Sequence, residues 1–217
     1  MSAVLLLAVA VTWFYRRVCG GRAGGSAAAR ARQLRPALSW LAVLTGRSTG
    51  TSREAARWKA GAEGERRTAA RLGPLWLRLW IVLHDRRLPT GRANVDHLVV
   101  TFGGTVFVLD TKRWSSRYRV RVSGRRLLHG TQDVTDRLRG LHHEARTVAA
   151  VLGRPVIPVI AMDGPPVDGG ELLIEGIRIV PADSLVPTLR CLARRPSGFG
   201  PLIGWRAARL LKPYRRN

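Results

Sequence analysis

Residues 94–112 read NVDHLVVTFGGTVFVLDTK, and how this stretch folds decides the rest of the chain. Two apolar, β-branched runs, 95–101 and 105–109, flank a Gly103-Gly104 break, which predicts a hairpin. Asp96 lies near the outer end of the first run and Asp110 just past the second, with Lys112 two residues on. A period of two points Asp110 and Lys112 to one face. A two-residue Gly-Gly loop would send the two aspartates to opposite faces. A three-residue loop, Phe102-Gly103-Gly104 with glycine in the left-handed position, pairs Thr101 with Thr105 and sets Asp96 opposite Asp110. We expect the three-residue loop. Two carboxylates so close repel unless a cation joins them or one binds a proton. Oxygen-only ligation suits Mg²⁺, and Lys112 is placed to orient water or stabilise developing negative charge.

Working outward, residues 51–72 read as the first helix, with Ala62, Ala69 and Leu72 along its apolar stripe. Glu65 lies at the edge of that stripe, where it would complete a metal site or hold a ligating water. Glu63 is the nearby competitor, and a solvated glutamate beside Arg66 and Arg67 is the plainer alternative. Residues 80–84 read as a strand, followed by an irregular loop over 85–93. That loop places Arg86, Arg87 and Arg92 just before Asp96, as phosphate contacts or as solvated charge. His84 and His97 are expected to be structural, because alternation turns His97 away from the Asp96 face.

These words carry a resemblance. Asp, a hairpin and then D-x-K resembles the PD-(D/E)xK nuclease superfamily, and the surrounding residues look like its nuclease-related (NERD) domain. Gly61-Ala62-Glu63-Gly64-Glu65 is similar to that domain's opening G-x-x-G-E, Asn94-Val95-Asp96-His97 to its N/I-D-H step, and Val108-Leu109-Asp110-Thr111-Lys112 to its closing D/E-x-K. The likeness runs from about residue 58 to 152. It implies a restriction-endonuclease-like α/β fold, a three-layer core in which helices flank a central mixed sheet. It also implies hydrolysis of phosphodiester bonds, in DNA before RNA, with Mg²⁺ (or Mn²⁺) held by Asp96, Asp110 and Glu65 and assisted by Lys112. Where the family shows N-P-x-x-Q at the next helix, this chain has Asp133-Val134, with Arg137 near the expected glutamine.

After Lys112, Arg113-Trp114 leads into 117–122, where arginine alternates with Tyr and Val. Arg119 and Arg121 would track a phosphate backbone beside the site, with Trp114 stacking on a base. A charge-protected sheet edge would look the same. Thr135 is expected to cap a helix reaching Leu152, with Leu138, Leu141, Ala145, Val148, Ala149 and Leu152 buried. His142, His143 and Glu144 then fall on a solvated face. Residues 156–162 predict a buried central or parallel strand. Residues 177–180 predict another strand, and 184–193 a helix capped by Asp183.

The bulk numbers bound the rest. Hydrophobic residues make up 46% of the 217, enough for one packed domain and too many for a disordered chain. Cys19 and Cys191 form neither a disulfide framework nor a metal spacing, which points to a reducing compartment. The formal charge of +23 is uneven: residues 1–53 and 184–217 each hold eight basic residues and no acid. Such ends suit nucleic acid or anionic lipid, although arginine-rich composition alone would also produce them. Residues 1–18 read as a hydrophobic segment whose apolar run, 2–15, precedes Arg16-Arg17. It reads as an anchor keeping the chain cytoplasmic at the inner face of the membrane, or as a helix lying on it. Residues 19–50 read as a basic linker, 51–195 as the nuclease-like domain and 196–217 as a basic tail.

Overall fold

The computed structural model describes Ala23 and residues 50–89, 93–193 and 196–214, with side chains from residue 58 onward in the first helix. The hydrophobic segment, the linker apart from Ala23 and Gly50, and Arg92 lie outside the described residues. Among the described residues, no helix is long and apolar enough to cross a membrane.

The hairpin forms as β2 (Asn94–Val100) and β3 (Val106–Arg113). Its register pairs Val100 with Val106, Val99 with Phe107, Leu98 with Val108 and His97 with Leu109. The loop is the three-residue one. Gly104 N–H donates to the Thr101 carbonyl at 3.0 Å, Thr101 N–H to the Thr105 carbonyl at 2.9 Å, and Gly104 takes φ 85°. Only glycine adopts that angle freely, so the Gly-Gly pair fixes which face each hairpin side chain occupies.

Around the hairpin is a six-stranded mixed sheet, in order β1 (Ile81–Arg87), β2, β3, β7 (Ile157–Asp163), β9 (Ile177–Pro181) and β8 (Leu172–Ile174). β1, β2 and β3 are antiparallel; β3, β7 and β9 are parallel, and β8 returns antiparallel at the far edge. β7 is the central parallel strand its apolar sequence predicts. A small second sheet holds β4 (Val120–Ser123), β5 (Arg126–His129) and β6 (Gln132–Asp133).

Helices cover both faces. On one, α1 (Gly50–Leu72) and α3 (Leu185–Leu192) pack Leu72, Leu185 and Leu189 against Val99, Phe107 and Leu109. On the other, α2 (Arg139–Leu152) and α4 (Gly200–Leu210) pack Leu141, Val148 and Ala207 against Leu98, Val100, Val106 and Val108. The alternation along β2 and β3 thus feeds two cores, as a three-layer fold requires. Each fully buried Phe or Leu contributes about 1.5–3 kcal/mol.

Four expectations need correction. β1 continues through Arg87, where an irregular loop is expected, and Trp80 precedes it. Asp183 does not cap α3; its carboxylate binds Arg71 Nη2 at 2.6 Å, which draws the end of α1 toward α3. Thr135 opens a short 3-10 turn, Thr135–Leu138, ahead of α2, and its own N–H and hydroxyl are held by Asp133. Finally, much of the stretch expected as a tail belongs to the packed domain. A Cβ on Gly204 would come within 2.3 Å of Ile81 Cδ1, so α4 can lie this close to β1 only with glycine there. Beyond α4, residues 211–214 run along the outer edge of β1: Arg87 N–H donates to the Lys212 carbonyl at 2.9 Å and Tyr214 N–H to the Asp85 carbonyl at 2.8 Å. This strap covers backbone that would otherwise be an open strand edge.

Candidate active site

Asp96, Asp110 and Lys112 have the same parity as Leu98 and Val108, which sets them on the α2 face of the sheet. The β2–β3 pairing ends at His97↔Leu109, one step short of Asp96 and Asp110. On the other side of β2, pairing with β1 holds at His84↔His97 and Arg86↔Val95 and skips the position between. Asp96 therefore sits where both ladders are broken. The break on the β1 side is at Asp85, whose φ of 49° is unusual for a residue with a side chain. Asn94 Nδ2 donates to Asp85 Oδ1 at 2.8 Å, and with Tyr214 this holds the bend in place.

Glu65 reaches the site from the opposite layer. It is only 7% exposed, so the solvated alternative for it does not hold. The competitor Glu63 is bound to Arg66 at 2.9 Å and Arg67 at 3.4 Å on the outer side of α1. Close approach of helix and strand puts Glu65 there. A Cβ on Gly64 would lie 3.3 Å from Thr111 Cγ2 and 3.4 Å from Arg113 Cβ, and one turn later the Thr68 and Thr111 hydroxyls are 3.0 Å apart. Gly64 is what lets α1 settle onto β3 with Glu65 buried at its rim.

A fourth carboxylate joins them. Glu144 of α2, expected on a solvated face, is half-buried and turned toward the sheet. Burial, then Asp110 and Glu65, push its carboxyl up to about 9, against the lowering pull of Lys112. Asp96 is also raised well above the usual carboxylate range, by burial first, then by Glu65, Asp110 and Glu144, with Lys112 opposing. Lys112 Nζ lies 2.5 Å from Asp110 Oδ2. Burial lowers the Lys112 pKa, but Asp110's charge and hydrogen bond, with Asp96 and Glu144 behind them, outweigh it and raise the net value. The site therefore holds four acids around one firmly cationic amine. Burial and mutual repulsion favour the protonated forms of Asp96 and Glu144 over the charged ones.

The signal for Glu144 was present in the sequence. It lies three residues after Leu141 and four before Val148, within the apolar stripe of α2 and not opposite it. The adjacent histidines mask that position. His142 turns away to Glu175, 3.1 Å distant, and His143 is exposed. His84 and His97 take the structural role expected of them. Their Nδ1 atoms are 2.8 Å apart, a contact that needs one ring to donate and the other to accept. Burial and Arg86 lower His84 to about 4, and burial, then His84, lower His97 well below its usual value against a hydrogen bond to the Glu65 backbone.

The basic residues expected to contact phosphate do not form one track. Arg86 is 2% exposed, and its guanidinium points inward to the Leu211 carbonyl at 3.4 Å, so it is a structural residue and not a phosphate contact. Arg119 is paired with Asp168 at 2.9 Å. Trp114 is not an open stacking platform. Its half-buried ring lies 5.2 Å from His129, with the Arg137 guanidinium over it at 5.3 Å. Arg87, Arg113, Arg121 and Arg137 keep exposed or half-exposed side chains, with Arg113 3.8 Å from Asp163.

Residues 60–162 match the family model described as the nuclease-related domain. The chain carries a NERD domain. The matched span runs from the Gly61–Glu65 word through the hairpin and α2 to the end of β7, so it encloses all four carboxylates and Lys112. Neither a curated protein nor a solved structure matches the chain.

Proposed function

We propose that this NERD domain is a divalent-metal-dependent nuclease that hydrolyses phosphodiester bonds, with DNA the preferred substrate over RNA. The observation that carries this reading is the surplus of buried negative charge. Asp96, Asp110 and Glu144 act on a single Lys112, Glu65 acts in turn on Asp96 and Glu144, and two of the four acids ionise only with difficulty. An all-oxygen donor set with uncompensated charge fits a hard dication. Among the described residues, no three His, Cys, Asp or Glu side chains are gathered closely enough to hold a metal by themselves. Mg²⁺ does not require that, since it keeps several waters and takes one or two carboxylates together with substrate phosphate. Asp96 and Asp110 would hold it, with Glu65 as ligand or as partner of a bound water. When bound, the metal supplies Lewis-acid stabilisation of charge on the scissile phosphate and its leaving oxygen.

The chain's own groups do the rest. Lys112 stays cationic at working pH and stabilises negative charge on the attacking water oxygen as that oxygen bonds to phosphorus. Water's proton passes to a site carboxylate, and the departing sugar oxygen takes one from solvent. Arg121 of the small sheet and Arg137, which lies over Trp114 in the turn before α2, would meet the phosphate backbone. Residues 2–15 are proposed to tether the domain to the inner face of the cell membrane.

A second reading, a nucleic-acid-binding or membrane-tethered signalling module without turnover, draws support from the Lys112–Asp110 contact, which already neutralises one proposed ligand. The test incubates the full chain with plasmid, single-stranded DNA and RNA in Mg²⁺, Mn²⁺ or EDTA, beside Asp110→Asn. Metal-dependent cutting that falls at least a hundredfold in Asp110→Asn is the expected result. Cutting unaffected by that change refutes the assignment, and tight binding with no cutting in any metal selects the module.

A further inference from the structure

The end of the sheet opposite the carboxylates displays large apolar side chains. β1 begins where β2 ends, with Ile81 paired to Val100, and the 3-10 turn Gly73–Arg78 leads directly into it. Gly200 N–H donates to the Phe102 carbonyl at 2.9 Å, which brings the start of α4 to the hairpin loop. At this shared end Leu77 is 68% exposed, Leu202 61% and Trp76 51%, and Leu79 and Phe199 are exposed as well. Phe102 and Phe199 stack edge to face with ring centroids 5.9 Å apart. So many bare Trp, Leu and Phe side chains on one end signify a contact surface.

Charge identifies the partner. The three segments that build this end, 73–81, 101–105 and 196–210, contain no acidic residue, and they carry Arg78, Arg206 and Arg209. Arg209 lies over the Trp205 ring at 4.8 Å, a pairing of cation and amphipathic ring suited to a headgroup layer. Nucleic acid would leave the bare leucines without purpose, whereas anionic headgroups over an acyl layer take both the cations and the apolar side chains. The same chain holds the apolar run 2–15, which would bring a bilayer within reach of the domain. We propose that this end docks on an anionic lipid surface, with Trp76, Leu77, Phe199 and Leu202 entering the acyl boundary and Arg78 and Arg206 meeting headgroup phosphates. The hairpin loop then lies at the membrane, and β2 and β3 run away from it. Asp110 lies four residues along β3 from Val106, roughly 13 Å at strand rise, so the carboxylates face the aqueous side.

The test places an environment-sensitive nitrobenzoxadiazole label on the full chain in a Cys19→Ser, Cys191→Ser background. It is attached at Leu77→Cys, Leu202→Cys or, as a control near the carboxylates, Ser116→Cys; all three positions are exposed. With vesicles of 70% phosphatidylcholine and 30% phosphatidylglycerol, labels at 77 and 202 are expected to shift to the blue and brighten at least twofold. The label at 116 should stay unchanged. Arg78→Ser with Arg206→Ser should weaken the response at least fivefold on the anionic vesicles while leaving circular dichroism unaltered. Chains that float with vesicles but show no shift at 77 or 202 overturn the proposal, because residues 2–15 alone would then account for binding. A shift already present without lipid, or produced by duplex DNA and not by vesicles, overturns it equally.

Discussion

Replacing Glu144 with glutamine isolates the charge imbalance at the site. In the folded chain this carboxyl titrates at about 9, against 4.5 for an unperturbed glutamate. Between those values the folded state binds a proton that the unfolded state has released, so stability must fall as pH rises through this window. The ceiling is about 1.4 kcal/mol for each pH unit. Because Glu144 is half-buried and titrates together with its neighbours, roughly half of that is expected, or ~2 kcal/mol by pH 7. Glu144→Gln removes the titration while keeping the shape. In EDTA its urea-unfolding free energy should match wild type near pH 4.5 and exceed it increasingly toward pH 9. Saturating Mg²⁺ should flatten the wild-type slope, since a cation lets the acids ionise without penalty. Parallel profiles for the two proteins across pH 5–9 would falsify the picture of Glu144 as a member of the cluster.

Further predictions follow from the neighbouring geometry. The buried histidine pair tilts stability the other way: His84, lowered to about 4 from 6.5, must stay neutral in the fold. Its contribution, up to ~3 kcal/mol, is therefore complete above pH 6.5 and lost as pH falls toward 4, and His84→Phe should flatten that acid limb in urea melts. Gly64→Val would press on Thr111 and Arg113 and should cost about 1–3 kcal/mol, read as a lower urea midpoint, with a drop in kcat as Glu65 is displaced. Arg121→Ala with Arg137→Ala should weaken DNA binding and reduce its salt dependence by about two charges, as measured by fluorescence anisotropy. Arg86→Ala, by contrast, should lower the unfolding midpoint and leave the salt dependence of binding alone, because its guanidinium serves the Leu211 carbonyl.

What could be read from the sequence was whatever depends on local pattern. Apolar alternation gave the hairpin, the parallel β7 and the buried stripe of α2, and Gly103-Gly104 gave the loop length. Misreadings arose where a residue's surroundings come from far along the chain. Arg86 reads as one of a solvated arginine cluster until residue 211, 125 positions away, arrives to accept its hydrogen bond. Residues 200–214 read as a tail because nothing local announces that Gly204 must make room for Ile81. Trp114 looks available until His129 and Arg137 occupy its faces. Glu144 is a different kind of miss. Its place in the helical stripe is legible between Leu141 and Val148, but His142 and His143 beside it mimic a solvated face.

The hairpin loop also limits how this protein can change over evolutionary time. If the turn kept its three-residue geometry, losing or gaining one residue between Thr101 and Thr105 would exchange inward and outward positions along the whole of β2, stranding Asp96 on the α1 side and driving His97 into its place. Insertions of an even number keep the parity. Natural length variants of this turn should therefore change its loop type and keep the β2–β3 register, while the small sheet, whose phase positions none of the site carboxylates, is free to slip by one.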